Sequence, residues 1–230
     1  LTFKTWKTNE ELEKCILDTL MEEIGMSDHD DVDSFDRSLG GNVTNNGTYF
    51  NVGCAKFAED WQILAPVRNM PYGVLSINRL IHNRFRENLL ALARKTRYKK
   101  IPSPMGAESI VYGDKVINLV NKKRSAFPAT AEATNYVANG EIGIVAGSFG
   151  KQTKYLNVEF SSQQGFTYSY NKSDFGEEIE SPLELAYALT VHKAQGSDFK
   201  KVFLVLKEPC NLISKELLYT AITRQKNRIV

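Results

Sequence analysis

Residues 184–206, ELAYALTVHKAQGSDFKKVFLVL, decide how this chain reads. A short apolar run leads into a polar turn carrying Thr190, His192, Lys193, Gln195 and Gly196, and a second apolar run rich in Val, Leu and Phe follows. Short continuous apolar runs suit strands buried on both faces of a parallel sheet. Near the end, residues 216–230, ELLYTAITRQKNRIV, place Tyr219, Thr220, Thr223 and Arg224 after an apolar stretch that reads as a helix over residues 217–223. A cation, hydroxyls and an amide set between buried strands favour phosphate chemistry, because phosphoryl oxygens need cations and donors around them.

Upstream, residues 61–65 (WQILA) read as a strand closed by Pro66. A loop containing Arg68 follows, and Val74, Ile77, Ile81, Phe85 and Leu89 then recur at helical spacing to about residue 95. Strand, loop and helix make the repeating unit of an α/β layer. Arg84, Arg86, Arg94, Lys95, Arg97, Lys99 and Lys100 make the second half of this helix and its exit basic. A solvated helix face is expected there, ahead of a phosphate-binding stripe.

Before the strand, Thr8-Asn9-Glu10-Glu11 matches a capping box, Leu12, Ile16, Leu20 and Ile24 follow at helical spacing, and Gly25 supplies the stop. Residues 27–47 are acidic and then Gly/Asn-rich, and a mobile surface loop is expected. His29 stands among aspartates without metal-ligand spacing or a neighbouring histidine, so no metal site is expected. After residues 101–104 (IPSP) the character changes to short strands and turns, with Asn139-Gly140 as a strong hairpin signal. Residues 105–180 are expected to form a small β-barrel without a helix of its own, with residues 122–136 as a long exposed loop. The α/β pattern returns after Pro182, with residues 185–189 as its next strand, so the α/β domain is expected to be discontinuous: residues 1–104 and 181–230.

The 230 residues are 42% hydrophobic and 24% charged, with a formal net charge of +2, so any nucleic-acid footprint must be local rather than global. Cys15, Cys54 and Cys210 are widely spaced and form no metal-ligand pattern, which suits a reducing, cytoplasmic setting. The opening LTFKTWKTNEELEK lacks the apolar core of a signal peptide. No apolar run approaches the roughly 20 residues of a membrane span, so no membrane partner is expected. The abrupt start on Leu1 and the strand-like NRIV at the end lead us to expect a piece of something longer.

For phosphate chemistry the cations in suitable places are Arg224, beside the late helix, and Arg68, just after a strand. Both are expected at strand ends, where open α/β sheets place ligands. No G-x-x-x-x-G-K-[ST] loop is present, so this sequence alone is not expected to hydrolyse ATP. Taken singly, His192 reads as a satisfied or exposed histidine, Lys193 as a solvated charge and Tyr219 as a core aromatic with its hydroxyl at the surface.

As an ordered set they carry more. TVHKAQGSDF (residues 190–199) followed by LLYTAITRQK (residues 217–226) resembles motifs V and VI of superfamily 1 DNA helicases, above all the RecD-like branch with its UvrD-type C-terminal domain. WQILAPVR (residues 61–68) resembles their motif IV, and PYGVLSINRL (residues 71–80) the loop and helix after it. Gly113-Asp114-Lys115-Val116 and residues 139–143 resemble the SH3-like barrel inserted in that branch. The resemblance spans about residues 61–230, and the paired late motifs in that order and spacing are highly specific.

The resemblance implies a second RecA-like motor domain with an inserted SH3-like barrel. The first motor domain, with the phosphate loop and magnesium carboxylates, would lie upstream and hold most of the ATP and Mg2+. Arg224 takes the place of the arginine finger and Arg68 that of the motif IV arginine, both reaching the γ-phosphate across a cleft. Gly196 and Asp198 match the part of motif V near the nucleotide, while Thr190, His192, Lys193 and Gln195 match the part facing single-stranded DNA. Movement would run 5′ to 3′, as in that branch. Two residues depart from the pattern: Asp198 stands where Glu is usual, and Gln225 replaces a small Ala. Rival readings are a non-catalytic nucleic-acid-binding module built on the barrel and the Lys122-Lys123-Arg124 loop, and a helicase acting on RNA.

Overall fold

The computed structural model describes residues 2–95, 100–147, 153–176, 180–207 and 214–230. Helix α1, Asn9–Ile24, begins at the predicted capping box: the Thr8 hydroxyl accepts from the Glu11 amide, and the Glu11 carboxylate accepts from the Thr8 amide. It ends at Gly25, whose φ of 75° is left-handed, and it buries Leu12, Ile16 and Leu20.

Helix α2, Val32–Ser38, and the hairpin of β1, Asn42–Thr44, with β2, Gly47–Tyr49, occupy the stretch expected to be a mobile loop. The expectation failed because one aromatic outweighs the polar composition. Phe35 is fully buried, stacks on Phe85 at 4.0 Å and 8°, and tilts against Trp61 and Tyr187. His29 Nε2 lies 2.8 Å from Asp18 Oδ1.

Strand β3, Trp61–Ala65, is buried throughout, and α3, Val74–Arg94, follows after a tight turn. Gly73 is required in that turn, since a Cβ there would meet the Arg68 carbonyl oxygen at 2.7 Å. Six strands come next: β4 Lys115–Asn118, β5 Ala126–Phe127, β6 Ile142–Ala146, β7 Leu156–Phe160, β8 Thr167–Tyr170 and β9 Leu183–Leu185. They form one antiparallel sheet in the order β5-β8-β7-β6-β4-β9. The chain then returns with β10 Ala188–Thr190, β11 Phe199–Leu204, α4 Lys215–Ile222 and β12 Gln225–Ile229. A parallel sheet in the order β10-β3-β11-β12 results, so the molecule is mixed α/β, as the apolar runs predict.

The run expected as one strand over residues 185–189 is divided. Leu185 closes β9 in the antiparallel sheet, and Ala188 opens β10 in the parallel one. Periodicity cannot say which sheet an apolar residue joins; buried amides decide it. Asn78 donates to the Leu185 and Ala188 carbonyls and accepts from the Ala188 amide. Gln62 donates to the carbonyls of Ala186 and Tyr187. These side chains bind backbone groups at the crossing, where the Tyr187 carbonyl also accepts from the Ile63 amide at 3.2 Å.

Charged groups buried between the two sheets fasten them together. Arg86, expected on a solvated face, is completely buried. It pairs with Asp36 at 2.5 Å and Asp114 at 3.1 Å and donates to the Gly113 carbonyl at 2.7 Å. Asp114 also accepts from the Tyr187 hydroxyl and the Val111 amide and lies 3.1 Å from His82 Nε2. Of the other basic residues near this helix, Arg84 pairs with Asp30, Arg94 and Lys95 are exposed, and Arg97 and Lys99 lie outside the described residues.

Lys115 on β4 is buried too, its Nζ donating to the Trp61 carbonyl at 2.6 Å on the other sheet. Burial pushes its pKa down from 10.5 to about 7, against the pull of Glu59 and Asp60. An unfolded Lys115 therefore binds more protons than the folded one between those two values, and stability should rise with pH across that window. Denaturant midpoints measured from pH 7 to pH 10 should increase, and Lys115→Met should flatten the rise.

Candidate functional site

The late motif residues occupy opposite ends of the parallel sheet. At the carboxyl end, β3 runs out into Arg68 and β10 ends on Thr190. The Thr190 hydroxyl accepts from the Lys193 amide at 3.2 Å and its carbonyl from the Ala194 amide, which turns the chain back along the sheet. His192 and Gln195 are exposed on this turn, and Lys193 is half-buried. Gly196 provides the φ of 89° with which the turn ends. Eight residues after Thr190, Asp198 lies just before β11, at the amino end.

Glu184 on β9 gathers the cations at the carboxyl end. Arg68 grips it with two bonds of 2.5 and 2.9 Å, and Lys193 Nζ donates to it at 2.8 Å. Burial would raise the Glu184 pKa, but the bonds from Arg68 and Lys193 outweigh burial and hold it below the usual glutamate value. Arg68 in turn is pushed above its ordinary pKa by that hydrogen bond. Removing the carboxylate should free both cations. Glu184→Ala in the full-length protein is thus expected to steepen the salt dependence of any polyanion binding at this end, read from binding titrations at several ionic strengths.

At the amino end, Arg224 immediately precedes β12. Its guanidinium donates to the Ser197 carbonyl at 3.2 Å and the Thr220 carbonyl at 3.3 Å, and sits 3.7 Å from the carboxylate of exposed Asp198. The Arg224 carbonyl accepts from Phe199 at 2.7 Å, locking the end of α4 to the start of β11. Carbonyls and one exposed carboxylate orient this arginine; no buried acid neutralises it among the described residues. Beside it lies a shallow cavity of about 440 Å³, lined in part by Gln195, Gly196, Asp198 and Lys226. Tyr219 and Ile222 of α4 are 72% and 44% exposed, so Tyr219 is not the core aromatic that its type suggests.

Arg68 and Arg224 were expected to converge on one phosphate. The register separates them: β3, β11 and β12 run parallel, Arg68 follows the end of β3, and Gln225 pairs with Phe199, ahead of the Lys201–Trp61 level. At about 3.3 Å per residue, at least the length of β3, roughly 16 Å, lies between their backbones. The structure brings Arg68 to Lys193, and Arg224 to Gly196 and Asp198. Sequence reasoning missed Glu184, although a carboxylate inside the apolar run SPLELAYAL was its signal. Asp198, the shortened acid, faces Arg224 and Lys226, and Gln225 enters β12 rather than the helix. Among the described residues no three His, Cys, Asp or Glu side chains gather as a metal would need, and no helix is long and apolar enough to cross a membrane.

Residues 185–230 match the UvrD-like helicase C-terminal domain, so the resemblance carried by the late motifs holds. The chain is 32% identical over 181 residues to the uncharacterized protein MJ1519 of Methanocaldococcus jannaschii, covering 76% of this chain and 15% of that protein. It is 38% identical over 96 residues to the ATP-dependent RecD2 DNA helicase of Deinococcus radiodurans, covering 41% of this chain and 12% of the relative. It is 34% identical over 94 residues to the RecBCD enzyme subunit RecD of Buchnera aphidicola, covering 40% and 14%. The chain thus spans about one-seventh of the length of these curated relatives. A solved structure of the Pif1 helicase from Bacteroides in complex with ADP-AlF3 and single-stranded DNA aligns with all of this chain and 50% of its own, at 15% identity and a TM-score of 0.42.

Proposed function

We propose that this chain is part of the second motor unit of an ATP-dependent DNA helicase that moves along single-stranded DNA and separates duplex. In this reading residues 1–104 and 181–230 form the motor domain and residues 105–180 its insert, whose antiparallel sheet takes its edge strand, β9, from the returning segment. The observation that carries it is the amino end of the parallel sheet. There Arg224 is oriented by carbonyls rather than cancelled by a buried acid, beside an α4 that leaves Tyr219 and Ile222 uncovered. A cation held ready next to an uncovered apolar helix suits one half of a site whose other half comes from another domain, here the upstream motor domain.

Within that site Arg224 would meet negative charge as it spreads over the transferring phosphoryl oxygens. The residues present fit phosphate oxygens and not a magnesium ion, since Asp198 faces two cations and, among the described residues, belongs to no group of three acidic, His or Cys side chains that could hold a metal. Magnesium would be held by the upstream domain with the nucleotide. At the other end Thr190, His192 and Lys193 would meet the phosphodiester backbone, while Gln195, further along the same connection, lines the cavity beside Asp198. Residues 191–198 join the two ends, so a shift at Asp198 is carried to Lys193 through one short connection. Contacts to phosphates make such binding indifferent to sequence and sensitive to salt.

The full-length protein should turn over ATP slowly alone and much faster with an oligo-dT strand, and should separate a duplex carrying a single-stranded end. Turnover that ignores DNA, at concentrations where the strand is bound, would sink this reading.

A further inference from the structure

A cavity of about 470 Å³ runs along one face of α3, closed on its other side by residues 106–110 and β9. Its cations are Arg68, Arg79 and Arg94, with His82 deeper in the wall. Arg79 and Arg94 are exposed and belong to no ion pair among the described residues, unlike Arg84, which pairs with Asp30, and Arg86, which is spent in the core. They lie fifteen positions apart on the helix, about 22 Å at its rise. Two carboxylates also face the cavity. Glu184 is already gripped by Arg68 and Lys193, and Glu108 accepts from the Leu185 amide at 2.8 Å, with burial raising its pKa. At the Arg68 end the groove continues through Glu184 into Lys193 of the connection after β10.

We infer that this groove is a track for the backbone of single-stranded nucleic acid, with Arg79 and Arg94 each against one phosphate. The inference rests on the reading under Proposed function, which makes Lys193 a strand contact, and extends it to residues that the late motifs do not contain. The charge of Arg79 and Arg94 is unpaired among the described residues, spaced along an elongated channel and continuous with the strand-facing turn. Among the described residues no Phe, Tyr or Trp lines the wall, so the track reads phosphates and does not stack bases.

The test is an oligo-dT titration of the full-length protein at several salt concentrations, comparing the parent with the double variant Arg79→Ala/Arg94→Ala. A single-strand phosphate contact contributes about 0.7 to the slope of log affinity against log salt, so losing two should flatten it by about 1.4. The oligo-dT concentration that half-saturates ATP turnover should rise in the variant, because the strand is held by two fewer contacts. Both side chains are exposed and the variant should melt like the parent; if it melts earlier, Arg79→Gln/Arg94→Gln, which keeps the stems, reads the slope instead. An unchanged slope with intact binding overturns the track. So does loss of poly-glutamate binding with oligo-dT binding intact, which would assign the groove to an acidic peptide. A parent that binds no oligo-dT removes the helicase reading itself and the track with it.

Discussion

Arg224→Ala in the full-length protein is expected to lower DNA-stimulated ATP turnover by about a thousandfold or more while leaving affinity for single-stranded DNA near that of the parent. The size follows from the role proposed for the guanidinium. Charge spreads over the phosphoryl oxygens only in the transition state, so the loss falls on turnover and much less on nucleotide binding. Arg224 touches Ser197, Thr220, Thr223 and Asp198 at the amino end of the sheet, and none of these holds Lys193. Arg224→Lys should recover only a little, because an ammonium lacks the planar fork that grips two oxygens. Steady-state turnover and oligo-dT titration on the same preparations separate the two effects. Equal losses in both would mean that Arg224 positions the strand and not the nucleotide.

Asp114→Ala should cost about 3–5 kcal/mol of folding stability, the usual penalty for removing one partner of a buried ion pair. The carboxylate is completely buried and serves Arg86, His82, the Tyr187 hydroxyl and the Val111 amide together. Without it Arg86 keeps Asp36, but His82, Tyr187 and the Val111 amide lose a partner where water is excluded. Tyr187→Phe removes a single hydroxyl and should cost about 1 kcal/mol. Urea unfolding of both variants measures this. If Asp114→Ala loses less than Tyr187→Phe, the network does not hold the two sheets together. The joint matters for function because Arg86 and Lys115 fix the antiparallel sheet, and with it Glu184 on β9, against the sheet that carries Arg224.

Local patterns were legible wherever one element owned its signal. The Thr8 capping box, the strand over Trp61–Ala65 and the helix from Val74 all stand where their residues put them. What stayed hidden depends on distant partners. Phe35 looked like one aromatic in an acidic loop until Phe85, fifty residues on, stacked against it. Arg86 looked like surface charge because its acids, Asp36 and Asp114, lie far away in the chain. Residues 185–189 looked like one strand because an apolar residue satisfies either sheet. The motif residues themselves were legible as a set, and residues 185–230 carry the family match. Their division between two sheet ends was not, since register is set by pairing across the sheet and not by spacing along the chain.

That division is central to the proposed function, in which the nucleotide would belong to the Arg224 end and the strand to the Lys193 end. The most direct measurement is DNA-stimulated ATP turnover of the full-length protein carrying Arg68→Ala, set beside Arg224→Ala, each at DNA concentrations that saturate it. Arg68→Ala should keep turnover within a few-fold of the parent and need more DNA to reach it, because Arg68 acts through Glu184 and Lys193. A collapse of turnover in Arg68→Ala as deep as in Arg224→Ala, with DNA affinity unchanged, would place both arginines on one phosphate and contradict the account.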